Sequence, residues 1–206
     1  MNTLTGTKSR SSIFNARGIA QIGIISAIAT VLMLFDIPLW FAPSFYKIDL
    51  SDIPILIGSF AVGPLAGVMM ELIKILLNLL LNGTTTGGIG EFSNFLIGCS
   101  LVLPSSLIYH CGKTKKHAVI GLATGTVGIT VMACLLNAFV MLPVYANAFH
   151  LPLEALVAIG TKINPSIKDL PTFIFLAVAP FNILKGVMAS GITLLLYKKV
   201  SPILHR

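Results

Sequence analysis

Five stretches of this chain, residues 17–35, 53–81, 89–112, 117–146 and 171–197, are long and almost entirely apolar. A helix needs about 20 mostly apolar residues to cross a bilayer. Inside hydrocarbon, only helices and closed barrels satisfy their own backbone polar groups. Charged residues make up 10% of the 206-residue chain, whereas a water-soluble domain carries roughly a quarter. The sequence therefore predicts an all-α integral membrane protein, a single membrane domain over residues 1–206.

The run 53–81 decides how many segments there are. As one helix it would be roughly 43 Å long, too long for a hydrocarbon core of about 30 Å. It also contains Gly63-Pro64, and a proline there should break the helix. Lysine and arginine favour the cytoplasmic side of a membrane. With one span, five loop cations face inside (8, 10, 17, 162, 168) against seven outside. With two segments meeting at Gly63-Pro64, nine face inside and three outside (47, 162, 168), with Lys74 and Lys185 in the membrane. The predicted segments are thus 17–35, 53–62, 64–81, 89–112, 117–146 and 171–197, with both termini cytoplasmic. Segment 53–62 is only about 15 Å long, so loop 36–52 must dip in or cap it. The first run has no small-residue cleavage site after it and reads as a retained helix.

The net charge of +7 sits in clusters at the ends of apolar runs, a membrane pattern that gives no reason to expect nucleic acid as a partner. Catalytic and nucleotide motifs (Gly-x-Ser-x-Gly, His-Glu-x-x-His, Gly-x-x-x-x-Gly-Lys-Ser/Thr) are missing, so no enzyme, metal site or cofactor is expected. The four histidines lie at span ends or in loops, and Cys99, Cys111 and Cys134 read as small, buried, reduced hydrophobes.

Polar groups within the apolar runs are expensive and point to a site. Glu71 and Lys74, at i and i+3, can neutralise each other as a buried structural pair. Glu91 and Asn94 share a face just after the glycine-rich loop 83–90, where Gly88 could let backbone approach a ligand. Asn137 lies deep in its run, and Lys185 follows Asn182 by three residues. For Asn137 and Lys185, ligand contact and a structural polar network both remain open. Trp40, Phe41, Phe45 and Tyr46 fit either an interfacial belt or a lid over the site. Ala16, Ala20, Gly23 and Ala27 follow a small-x-x-x-small rhythm that permits close helix contact, within the fold or with a partner.

Several of these pieces together resemble a known family: Tyr46-Lys47-Ile48-Asp49-Leu50-Ser51-Asp52-Ile53-Pro54, Gly63-Pro64-Leu65-Ala66-Gly67, Glu71-Leu72-Ile73-Lys74, Thr86-Gly87-Gly88-Ile89-Gly90-Glu91, Asn94-Phe95-Leu96-Ile97-Gly98 and Pro180-Phe181-Asn182-Ile183-Leu184-Lys185-Gly186. The chain resembles the riboflavin-specific substrate-binding (S) components of energy-coupling factor (ECF) transporters. That resemblance implies a six-helix bundle in the bacterial cell membrane and a vitamin site near the outer face, closed by the first outer loop. It implies that Asn137 and Lys185 bond the flavin, with Glu91, Asn94, Gly88, Phe41, Phe45 and Tyr46 around it. It implies partnership with a transmembrane coupling protein and two ATPase subunits, met through Ala16, Ala20, Gly23 and Ala27, with Gly23 standing for an alanine. Riboflavin is then a transported substrate rather than a cofactor, and acceptance of FMN or flavin analogues stays open. An S component for thiamine or biotin, or an intramembrane enzyme, is the alternative.

Overall fold

Gly63 cuts the run 53–81 in two: its φ of 138° lies where L side chains rarely go. In this computed structural model, which describes residues 15–39, 46–84, 86–148 and 152–204, helix α2 (Asp52–Val62) ends there and α3 (Pro64–Asn82) begins. Proline at the first position of α3 needs no intrahelical donor, so the break satisfies both sides.

The remaining helices are α1 (Ala16–Leu34), α4 (Ile89–Gly112), α5 (Lys115–Leu136), α6 (Leu142–Ala148), α7 (Leu153–Ile163), α8 (Leu170–Phe173) and α9 (Ala179–Leu204). A two-residue antiparallel ribbon, β1 (Ile37–Pro38) with β2 (Lys47–Ile48), bridges α1 and α2. Among the described residues five helical stretches are long and apolar enough to cross a membrane, while α2, at 11 residues, is shorter. Asn15 caps α1 by accepting from Gly18 N–H at 2.7 Å, and Thr114 caps α5 by accepting from His117 N–H at 3.3 Å.

Two π-helical segments interrupt the long helices: Asn137–Met141 between α5 and α6, and Ile174–Val178 between α8 and α9. Each runs up to just before a proline, Pro143 and Pro180. A proline ring collides with the carbonyl four residues earlier, and a wider turn relieves that collision without ending the helix. Between residues 147 and 170, which the sequence reads as an outer loop, the structure has a further helix, α7, started after Pro152 and stopped before Pro165.

Packing follows membrane rules, with small residues and dispersion contacts rather than a hydrophobic drive between helices. One core gathers Ile22, Leu56, Phe60, Met70, Leu101 and Tyr109 from α1 to α4. Phe60 stacks on Tyr109 at 4.4 Å between centroids, and the Tyr109 and Tyr197 hydroxyls meet at 2.8 Å. A second core joins Tyr46, Ala133, Leu142, Phe173 and Phe181 at the opposite end. Apolar side chains such as Leu80, Phe139, Phe175 and Leu195 face outward, as lipid-exposed residues should.

Candidate functional site

At one end of the bundle the last turns of α1 and α3, the first turns of α4, the π segment after α5 and the early part of α9 enclose a cavity of about 310 Å3. That size suits a small organic ligand. The basic segment Lys113–Lys116 joins α4 to α5 at the other end.

The inner wall is polar. Asn137 is 5% exposed; its amide N–H donates to Ala133 O at 2.9 Å, and its Oδ1 accepts from the Tyr46 hydroxyl at 2.6 Å. Asn182 donates to Val178 O at 2.9 Å. Tyr46 and Phe181 pack with centroids 5.2 Å apart, forming an apolar face beside these amides. Lys185, 9% exposed, completes this wall.

Lys185 is not alone. Its ammonium lies 3.1 Å from Asp49 Oδ2 and 3.4 Å from Asp52 Oδ2. Asp52 also binds Lys74 at 2.9 Å, and Lys74 meets Glu71 at 2.7 Å. Five ionisable groups, three acids and two bases, thus form one buried cluster behind the cavity. The two lysines differ within it. An ammonium has three N–H donors. Lys74 directs all of its contacts inward, to Asp52, Glu71 and the Ser51 hydroxyl, the last at 3.2 Å. Lys185 donates to Asp49, stands in an ion pair with Asp52 and lines the cavity, so its ammonium keeps donor capacity toward a ligand. Burial alone would raise the Asp49 carboxyl, but the Lys185 ammonium reverses this and holds it below its ordinary value. Ser51 N–H, at 2.9 Å, and the Ser51 hydroxyl also donate to Asp49, fixing the loop that carries it.

The mouth gathers Asp36, Lys47, Asn78, Asn82, Thr86, Glu91 and Asn94. Lys47 and Asp36 pair at 2.7 Å, and Glu91 accepts from the Thr84 hydroxyl at 2.9 Å.

The structure brings five of the residues singled out from sequence to this cavity: Tyr46, Glu91, Asn94, Asn137 and Lys185. Gly88 stands at the start of α4 with φ 91°, its N–H on Thr84 Oγ1 at 2.9 Å; the glycine in the described wall is Gly90. Trp40, Phe41 and Phe45 lie outside the described residues. Asn78 and Asn82 escaped the sequence reading, although their i, i+4 spacing near the end of an apolar run is the kind of signal that exposed Glu91 and Asn94. Asp49 belongs to the motif Tyr46–Pro54, and nothing in its local sequence marks it as a partner of Lys185. Ala16, Ala20, Gly23 and Ala27 all face outward from α1, while Gly18, Ile22, Ser26 and Ala29 face the bundle. A side chain placed on Gly23 would meet nothing within 4 Å.

A family model, several relatives and a solved structure match this chain. Residues 17–197 match the family model for the substrate-specific component of ECF transporters. The chain is 36% identical over 185 residues to the riboflavin transporter RibU of Staphylococcus aureus, covering 90% of each chain. It is 30% identical over 184 residues to the riboflavin transporter FmnP of Bacillus subtilis, covering 88% of this chain and 90% of the other. A solved structure described as the S component of a bacterial ECF transporter superposes with a TM-score of 0.70 at 32% identity, covering 91% of this chain and 97% of that one.

Proposed function

The chain belongs to the substrate-specific components of ECF transporters, and from that premise we propose that it binds riboflavin and delivers it across the bacterial cell membrane, powered by ATPase subunits in trans. The observation that carries this reading is the inner wall of the cavity, where Asn137, Asn182 and the Lys185 ammonium stand beside Tyr46 and Phe181. Riboflavin offers a flat ring with an amide-like edge and an uncharged polyol. The amides can donate and accept along that edge, Lys185 can serve a ring carbonyl, and the aromatic side chains supply an apolar face. The polyol then runs toward the mouth, among Asn78, Asn82, Thr86, Glu91 and Asn94.

Six helical segments cross or enter the membrane in this reading, with the basic end cytoplasmic and the cavity facing outward. The outward-facing Ala16, Ala20, Gly23 and Ala27 form the surface that meets the transmembrane coupling protein, which carries two ATPase subunits. The chain itself catalyses no reaction and holds no cofactor; riboflavin is its cargo.

The test is equilibrium titration of the purified, detergent-solubilised chain with riboflavin, followed by quenching of flavin fluorescence, with thiamine and biotin as competitors. Saturable quenching that neither competitor reverses is expected. Displacement by thiamine or biotin, or no quenching at all, would overturn the assignment.

A further inference from the structure

We propose that Lys74, which does not line the cavity, is a positioning residue for the ligand: it holds Asp52 off Lys185 and so leaves the Lys185 ammonium facing the cargo. This rests on the reading of the cavity as a riboflavin site and extends it to residues behind the wall.

The charge cluster has a front and a back. Asp49 and Lys185 line the cavity, whereas Asp52, Glu71 and Lys74 do not. Asp52 stands between the two ammonium groups. Its Oδ1 accepts from Lys74 at 2.9 Å, while its Oδ2 lies 3.4 Å from the Lys185 nitrogen. That second distance exceeds the roughly 2.7–2.9 Å of a charged hydrogen bond. Among the described residues Asp52 Oδ2 accepts no hydrogen bond, although the side chain is buried. A bare carboxylate oxygen away from water is costly, and an ammonium this near should close on it. Both groups are instead held from their far sides. Lys74 keeps Asp52 at the back of the cluster, and Asp49, at 3.1 Å, keeps Lys185 at the front.

Glu71 competes with Asp52 for Lys74, since its carboxylate lies 2.7 Å from the same ammonium. Loss of the Glu71 charge therefore leaves Lys74 wholly to Asp52 and keeps Lys185 at the cavity. Loss of Lys74 does the opposite, because Asp52 is then free to take Lys185. A pair that served only as structural glue would give both losses the same sign. Neutralising Glu71 and Lys74 together removes one charge of each sign. The net charge of the cluster is then unchanged, and any effect on affinity comes from its arrangement.

The experiment measures riboflavin dissociation constants on the purified chain in the natural sequence, in Glu71→Gln, in Glu71→Gln/Lys74→Met and in Glu71→Gln/Lys74→Met/Asp52→Asn. A flavin ring loses its imide proton in alkali with a change in absorption, and an ammonium at a ring carbonyl favours that anion. The pH of this change in the bound flavin thus reports where Lys185 stands, which a smaller folded fraction would not move. Glu71→Gln is expected to bind within about threefold of the natural chain or more tightly. The double variant should bind about tenfold more weakly, as loss of a charged hydrogen bond dictates, with the imide ionisation raised by about one unit. The triple variant should recover both, because Asp52 no longer claims Lys185. Tenfold weakening in Glu71→Gln would overturn the proposal, and this variant keeps the test decisive if the double variant does not fold. So would natural affinity in the double variant, weak binding there with the imide ionisation unmoved, or a triple variant that recovers neither. Failure of riboflavin to bind the natural chain would overturn the underlying site assignment, and this inference with it.

Discussion

Replacing Lys185 by methionine keeps most of the side-chain volume and removes the ammonium, so the outcome reports charge rather than packing. At an effective dielectric of about 20, a contact of this length contributes roughly 5 kcal/mol of attraction. Lys185 makes two such contacts, to Asp49 at 3.1 Å and Asp52 at 3.4 Å. The ammonium's own desolvation, several kcal/mol, offsets part of that. What remains after substitution is three carboxylates, Asp49, Asp52 and Glu71, against Lys74 alone, with Asp52 only 2% exposed. Breaking a buried pair from one side typically costs about 3–5 kcal/mol, and that is the expected loss of stability for Lys185→Met. The double variant Lys185→Met/Asp49→Asn removes one of the stranded charges and should recover about 1–3 kcal/mol. Thermal unfolding in detergent, followed by a thiol-reactive dye on the free cysteines Cys99 and Cys134, measures both. A single variant that melts with the natural chain, or a double variant no more stable than the two single losses combined, would refute the argument. The same measurement is needed before any loss of riboflavin affinity in Lys185→Met is ascribed to the ligand.

Gly23→Trp and Ala27→Trp project outward from α1; each is expected to leave riboflavin affinity within about twofold and to block uptake when co-expressed with the coupling and ATPase subunits. Full uptake by both would mean the coupling surface lies elsewhere. Gly98→Ala drives a Cβ to 2.6 Å from Glu71 Oε2 and should cost about 1–3 kcal/mol of stability, as overpacking does; an unchanged melting temperature would count against the close approach of α4 to Glu71. Single cysteines at Lys115 and Ser166, in a background without native cysteines, should report opposite faces of the membrane, with only position 166 labelled by an impermeant reagent in intact cells. Labelling of 115 would reverse the orientation. The depressed Asp49 carboxyl contributes stability above its unfolded value of about 3.9, lost only as pH falls through the lower folded value; a drop in stability between about pH 7 and 5 that disappears in Asp49→Asn would contradict this.

Local chemistry made much of this readable from the chain. Gly63-Pro64 carries both a residue able to adopt φ 138° and one that cannot continue a helix, so the break between α2 and α3 was written at one dipeptide. Asn137 and Lys185 stood out because polar groups are costly amid apolar neighbours, whatever their partners. The partners themselves were not readable. Lys185 and Asp49 are 136 residues apart, and nothing local to either specifies that they meet. The π segments leave no composition of their own; only Pro143 and Pro180, downstream of each, hint at a widened turn. Helix α7 did have signals, Pro152 and Glu154 at its start and Asn164-Pro165 after its end. They were lost because a stretch this short between two spans reads as a connection.

The buried charge cluster gives the binding end of the molecule its mechanical logic. Asp49 and Ser51 precede α2 in the first loop, Asp52 opens α2, Glu71 and Lys74 belong to α3, and Lys185 to α9. One set of ionic contacts therefore ties a loop and three helices together directly behind the cavity wall. Lys74 contacts only groups of the cluster, Ser51, Asp52 and Glu71, and is absent from the cavity lining, so it serves to hold the elements together. Lys185 holds the loop through Asp49 and still lines the cavity, so in the proposed function it is a contact shared by loop and cargo. An ammonium has three N–H donors, so a carbonyl bonding Lys185 need not displace Asp49, and occupancy and an anchored loop are compatible. If the ligand bonds Lys185 as proposed, both act on one charge, and linkage makes any coupling mutual: a change in how Asp49 is held against Lys185 that alters ligand affinity is matched by an equal effect of the ligand on the loop.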